Sequence, residues 1–477
     1  MAIRKGERGQ ISMLPPSVEE YVGEDDPVRA YDAFIEALDI GELGLLDTSR
    51  KVGNPSYDPK SMLKLLVYGY SYGWRSSRKL ERAVYHNLSF IWLMGGLKPD
   101  HKTIANFRRN NKTVLKKVLK QGVRLCVKLD LIEGNTLFVD GTKIRGNASI
   151  NQTKTKEGWE TQLKKVDEEI DSLFEECDRI DREEEGSLVS INKKILGKKK
   201  LKEKIESILN KMEEEKKNKI NGTDSGASNY TSRQGTHAGY NAQLVTDDKH
   251  GLIVNADVVS ENNDLNQFSR QIEQANEVLR EKCAVGCADA GYHSVDDIKK
   301  ITDQVIDVIM PSSRQAQYKD NPFGKDKFVY DSAKDQYQCP EGNILRYSYY
   351  STTQDFRVYR MLHESKCRNC NHFGVCTKSR KGRTIKRLKN EELKQRVEAK
   401  YESKEGQKIY NRRKTRAEHP FGHIKKNLQV GSFLLRGLSG VQAEFSILAN
   451  SFNIARLITL YKGVIPLVTA FKKIEVV

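Results

Sequence analysis

The chain has 477 residues, with 81 Lys or Arg against 64 Asp or Glu, a formal net charge of +17 and a pI near 9.3. That length is too great for one compact core, so two to four domains are expected, and the charge points to a polyanionic partner. No run of eighteen apolar residues occurs and MAIRKGERGQ lacks the apolar centre of a signal peptide, which excludes membrane and exported classes and leaves a cytoplasmic, nucleoid-associated protein as the expectation.

From Tyr57 to Asn111 the sequence predicts short helices: SMLKLLVYGYSYG, SSRKLERAVYHN, LSFIWLMGG and HKTIANFRRNN. Ser76 and Ser77 are candidate N-caps, and Gly95 with Gly96 stops the third helix. Residues 1–112 are thus expected to form a helical DNA-binding domain, with Lys102, Arg108 and Arg109 facing phosphates. A bundle that only packs or dimerises is the alternative. A helix from Val114 to Leu129 then leads to an apolar strand, Thr136 to Asp140, so residues 113–153 open the core. In LFVDGTKIRGNAS the glycine after Asp140 lets the backbone bend away at the strand end and expose the carboxylate.

Lys154 to Lys219 is almost wholly Lys, Glu, Asp and Leu or Ile, with Leu163, Val166, Ile170 and Leu173 at helical spacing. It reads as a charged helical hairpin inserted at 154–220, either an arm for dimerisation or DNA contact or a solvated insertion. Asn221 to Ser232 reads as a mobile loop. Strands at Tyr240–Val245 and Leu252–Val259, a helix from Asn263 to Arg280, a strand ending at Asp289 in CADAGYHS, a helix after Ser294 and a strand Val305–Met310 follow. With the first strand and a closing helix, this is the order of an RNase H-like α/β core, continued over 221–312.

Eight cysteines are present, and four crowd together: Cys339 in CPEG, then Cys367, Cys370 and Cys376 in CRNCNHFGVC. Four thiolates so spaced suit a structural Zn²⁺ in a small insertion at 313–385, with His372 as an alternative ligand. A closed four-ligand site leaves no open position, so it is not catalytic.

The closing segment, 386–477, is the basic one: Thr377 to Val430 holds 18 Lys or Arg against 6 Glu. Gln407 to Glu418 contains no glycine or proline and predicts a helix, with a kink or restart at Pro420. Glu418 and Lys425 are seven apart, two helical turns, and Tyr410, Arg413 and Arg416 precede them on about the same side. Two strand-end aspartates and a helical glutamate could meet at one point. There they would repel one another unless Mg²⁺ (or Mn²⁺) neutralised them, the usual arrangement for phosphodiester chemistry. Glu418 is then a metal ligand, and Arg413, Arg416 and Lys425 hold phosphates.

The framed acids Asp140 and Asp289, with Tyr410, an arginine, Glu418 and Lys425, resemble the signature of bacterial insertion-sequence DDE transposases of the IS4/IS5-like group, in the branch with a cysteine cluster before the catalytic glutamate. The resemblance runs from about Tyr57 to Leu460 and includes PDHKTIANFRR and LLRGLSGVQAEFSILANSFNIARL. It departs from the family pattern in the spacings from tyrosine to arginine and from arginine to glutamate. It implies an RNase H-like core, Mg²⁺-dependent cutting and joining at transposon ends, and an N-terminal DNA-binding region. The expected partners are terminal inverted repeats, target DNA and a second copy of the chain. A non-catalytic DNA-binding regulator and a nuclease that hydrolyses without joining are the rival readings.

Overall fold

A computed structural model describes residues 17–45, 56–183, 188–232, 235–316, 321–353 and 355–474. The chain divides into two compact units. The first gathers the described residues of Met1–Asp264, Gln271–Cys283 and Lys414–Val477; the second comprises Leu265–Arg270 and Ala284–Arg413.

In the first unit, helices start where short acidic side chains satisfy free backbone amides. Asp26 accepts from the Val28 amide at 2.8 Å with Pro27 in the first turn of helix Pro27–Glu36. Asp58 does the same for Pro59–Ser71, and Asp100 accepts from Thr103 at the start of His101–Asn110. Ser76 stands at the N-cap of Ser77–His86 but makes no side-chain cap bond. Gly95 and Gly96, at φ +56° and +81°, stop the chain after Leu88–Leu93 as expected.

The helix Leu438–Leu460 is the spine of this unit. Its buried residues, among them Phe445, Leu448, Phe452 and Ile454, pack against Lys112–Lys128 and Pro59–Ser71. Its buried polar residues are all employed. Glu444 meets Arg75 Nη1 at 2.8 Å and accepts from the Leu434 and Leu435 amides. Asn453 both accepts from and donates to the backbone of Ile253 at 2.8 Å, in place of a neighbouring strand. Among the described residues no single helix is long and apolar enough to cross a membrane.

The strands of the first unit are β1 (Thr136–Arg145), β2 (Thr153–Thr155), β3 (Lys219–Asn221), β4 (Ser228–Ser232), β5 (Gly235–Asp247) and β6 (Ile253–Val259). β5 pairs antiparallel with β1, β4 and β6. Two expectations are corrected here. β1 does not end at Asp140 but continues through Gly141 to Arg145, because β5 offers partners as far as Gly239. Part of the expected loop is strand β4, whose backbone groups pair with Gly235–Gly239.

The charged hairpin forms as two helices, Lys156–Glu183 and Leu188–Glu214, above a β2–β3 ribbon. Ion pairs Lys156–Glu213, Lys202–Asp167 and Lys198–Glu169 fix an antiparallel register. Trp159, Val166 and Ile170 face Ile205, Ile208 and Met212 across the seam. The interruption expected at EGSLVSINKK, residues 185–194, is helical from Leu188 onwards, and its first three residues lie outside the described residues.

In the second unit, β7 (Val285–Cys287) pairs in parallel with β8 (Asp307–Ile309). β7 stops two residues short of the expected Asp289, and β8 starts after Val305, which takes φ +66° as the preceding helix closes. The cysteine-rich region, where no strand was expected, is an antiparallel sheet. Its strands, β9 (Val329–Asp331), β10 (Gln336–Gln338), β11 (Ile344–Ser351), β12 (Phe356–Met361) and β13 (Thr384–Leu388), lie side by side in chain order. Phe328, Tyr337, Leu345, Tyr359, Met361 and Ile385 form its core.

Candidate active site

Asp140 sits in mid-strand on β1, opposite Leu244 of β5, and is only 8% exposed. Side chains two apart share a face of a strand, so Thr142 lies beside it. Lys425 donates to the Thr142 hydroxyl. Desolvation lowers the pKa of that ammonium, and the nearby Asp140 carboxylate opposes the shift. β1 also packs against the Lys414–Glu418 turn. Residues of two motifs far apart in sequence thus converge within one unit. Thr142 was not singled out from the sequence, although its i+2 spacing from Asp140 was a usable signal.

The basic segment is not the uninterrupted α-helix expected from Gln407 to Glu418. It is α-helical over Lys404–Arg413, then makes a π turn at Lys414–Glu418, a short α turn at His419–Gly422 with Pro420 near its start, and a second π turn at His423–Asn427. A π turn bonds i to i+5 and accommodates one residue more than an α turn. The extra residue lies where the arginine-to-glutamate spacing departs from the family pattern. Ala417, Phe421, Ile424 and Leu428 bury the inner side, whereas Glu418 and Lys425 stay exposed.

The two candidate arginines separate clearly. Arg416 lies 3.7 Å from Asp248 and reaches the Lys249 carbonyl at 3.4 Å, so it braces the β5–β6 turn. Arg413, in the second unit, lies 5.7 Å over the Tyr410 ring. Burial, opposed by the Arg413 charge, raises the Tyr410 hydroxyl pKa, and Asp289 adds to the rise. Asp289 itself accepts from the Gly291 amide at 2.8 Å and caps the short turn Ala290–Tyr292.

Of the N-terminal cations, Lys102 and Arg109 are exposed, and Arg109 donates to Asn106. Arg108 is 6% exposed and donates to the Tyr70 hydroxyl and the Arg75 carbonyl. It therefore links helices instead of facing phosphates, contrary to expectation.

The four cysteines gather in the second unit. Cys339 and Cys376 pack against the cluster that contains Cys367. Burial pushes the Cys376 thiol up; Arg383 opposes this, and Cys367, Cys339 and Cys370 all add to it. The Arg383 amide points at Cys367 Sγ at 3.5 Å. His372 is drawn to Glu341 at 3.0 Å and lies against Phe323. Among the described residues, no three His, Cys, Asp or Glu side chains stand together at ligating spacing.

Residues 338–458 match the family model described as a transposase DDE domain, and residues 16–110 match a transposase domain, DUF772. The first match includes the cysteines, Glu418 and Lys425; Asp140 and Asp289 lie between the two. No curated protein matches the chain. Among solved structures, a piggyBac transposase synaptic complex with hairpin DNA is 9% identical, covering 94% of this chain and 79% of that one at a TM-score of 0.35. The assignment rests on the two family matches and not on that likeness. A transposase DDE domain match towards one end of the sequence and a transposase domain match towards the other together support a DDE transposase function, the cutting of DNA and transfer of the cut strand.

Proposed function

We propose that this transposase cuts at the terminal inverted repeats of its element and joins the freed ends to target DNA, with Asp140, Asp289 and Glu418 as the acidic trio. The observation that carries the reading is the meeting of Asp140, Thr142 and Lys425 in the first unit, next to the turn that bears Glu418. All three acids offer hard oxygen donors, which suit Mg²⁺ or Mn²⁺, and the near-complete burial of Asp140 favours a cationic neighbour. When bound, the metal supplies charge neutralisation and activates the attacking oxygen. Lys425, held by Thr142, offsets charge at Asp140 and is aimed to offset charge on a phosphate. Arg413, stacked on Tyr410, supplies a second cation.

The antiparallel β1–β5–β6 meander and the parallel β7–β8 pair support an RNase H-like core, in the segments expected from the sequence. We assign DNA binding to residues 1–112 through Lys102 and Arg109, and action as a homodimer. The test is incubation of the full chain with end-bearing DNA and Mg²⁺. Cut and joined products support the reading, cutting without joining favours a nuclease, and binding without cutting favours a regulator.

Cys339, Cys367, Cys370 and Cys376 are proposed to hold one structural Zn²⁺, since four thiols share one patch and soft thiolates prefer that ion. Protein purified without chelator should contain about one zinc per chain. Ligation needs thiolates, and the Cys376 thiol is pushed up, so protons compete as pH falls and zinc should be released on acidification. A metal-free protein with its fold intact would refute the site.

A further inference from the structure

The open face of the five-stranded sheet carries a group of side chains that neither the carboxylates nor the cysteines use. Across β11 and β12, Arg346 pairs with Arg360, Tyr347 with Tyr359 and Tyr349 with Val358, with a register jump between Tyr347 and Tyr349. Residues 346 and 349 are an odd number apart and would face opposite sides of a regular strand. The bulge at Ser348 returns Tyr349 to the side of Arg346, the kind of re-aiming that bulges perform. The Arg360 guanidinium accordingly lies 5.3 Å over the Tyr349 ring. On β13, Lys386 stands opposite Val358 and so shares this side, with its ammonium 4.6 Å from the Phe356 ring.

Arg346, Tyr349, Arg360 and Lys386 are all exposed, whereas Tyr337, Leu345, Tyr359 and Ile385 of the opposite side form the core. Like charges directly opposed across a strand pair are destabilising unless an anion joins them. No ion pair is made by Arg346, Arg360 or Lys386 among the described residues. Tyr349 keeps 46% of its surface where β11 has run on past β10, whose pairing stops at Arg346, so the ring stands beside an open strand edge that an extended chain can approach.

We propose that this face binds an unpaired DNA strand, with a base stacked on Tyr349 and the adjoining phosphates on Arg346, Arg360 and Lys386. An aromatic ring flanked by cations accepts any base face and tracks the backbone, which gives sequence-tolerant single-strand binding. A duplex presents phosphates but keeps its base faces stacked, so the tyrosine selects the single strand. The inference rests on the reading that this chain processes DNA, and its cutting reactions supply unpaired ends.

The experiment uses the full chain without added Mg²⁺ or Mn²⁺ and without chelator, so that nothing is cut and bound zinc stays in place, with fluorescent oligothymidine and a blunt duplex of equal length. Tyr349→Ala should weaken oligothymidine binding about tenfold or more and leave the duplex within about twofold, while Tyr349→Phe binds as wild type. Replacing Arg346 and Arg360 by Gln should lower the single-strand salt slope by about 1.4. Light-driven crosslinking of iododeoxyuridine-bearing oligonucleotide to the wild-type chain should mark Tyr349, which needs no variant to fold. Tyr349→Ala with undiminished oligothymidine binding, equal losses for both DNAs, or adducts only outside β11 to β13 would each overturn the proposal. Failure of the transposase reading shows separately, as wild-type protein that neither cuts nor joins end-bearing DNA in Mg²⁺.

Discussion

The hairpin Lys156–Glu214 and the segment Lys414–Asn427 are both densely charged parts of the first unit, and they spend their charge differently. In the hairpin, lysines of one helix meet carboxylates of the other across an apolar seam, and the backbone stays α-helical throughout its described length. In the basic segment the backbone leaves the α-helix twice, one cation braces the β5–β6 turn, and another is held beside Asp140. Charge density is therefore a poor guide to function here. The better guides are an irregular backbone, which concentrates at working sites, and a charge aimed at a different element.

The strongest way to break that comparison is to remove the acids. Asp140→Asn, Asp289→Asn and Glu418→Gln should each reduce cleavage of end-bearing DNA by more than about a thousandfold while binding persists, since amides keep the shape but lose the anionic oxygen. Wild-type cleavage by any one variant removes that residue from the site. Deleting Thr415 probes the π turn itself. Closing it to an α turn removes the residue that the π turn absorbs and leaves later residues facing as before, so cleavage should stay within about tenfold; a loss of about a hundredfold or more, with circular dichroism unchanged, would mean that the bulge itself sets the position of Glu418.

Smaller effects sharpen the contrast among the cations. Neutralising Arg413 and Lys425 together should lower the duplex salt slope by about 1.8, two phosphate contacts' worth, for end and non-end DNA alike. Arg416→Gln should leave the slope alone and lower the melting temperature, because it loosens the β5–β6 turn. The least effect is expected in the hairpin: Glu169→Gln with Lys198→Gln should leave melting and cleavage within error, as exposed ion pairs contribute little. A loss of cleavage there would show that the hairpin's charges act on DNA after all.

Much of this was legible from sequence because it depends on local chemistry. The helices between Tyr57 and Asn111 follow from caps and glycines, and the hairpin from its apolar spacing. The length of β1 was not legible, since it depends on how far β5 extends opposite it. Nor were strands β9 to β13, each too short or too rich in Tyr, Arg and Lys to show a clear alternation. For the candidate site, Asp140 and Lys425, picked out by residue identity, lie near one another in the fold. Arg108 looked like a phosphate ligand because a sequence shows charge without showing its partner; Tyr70 and the Arg75 carbonyl hold it in the fold.

The buried contact between Arg75 and Glu444 has a consequence in time. The two residues are 369 positions apart, and Arg75 in turn positions Arg108. At about 5–20 residues per second, a ribosome needs roughly 20–70 s to travel between them. Through that interval the N-terminal helices lack the carboxylate that neutralises their buried arginine, and a prematurely terminated chain never acquires it. Completion of the N-terminal helical region is thus deferred until synthesis has nearly ended.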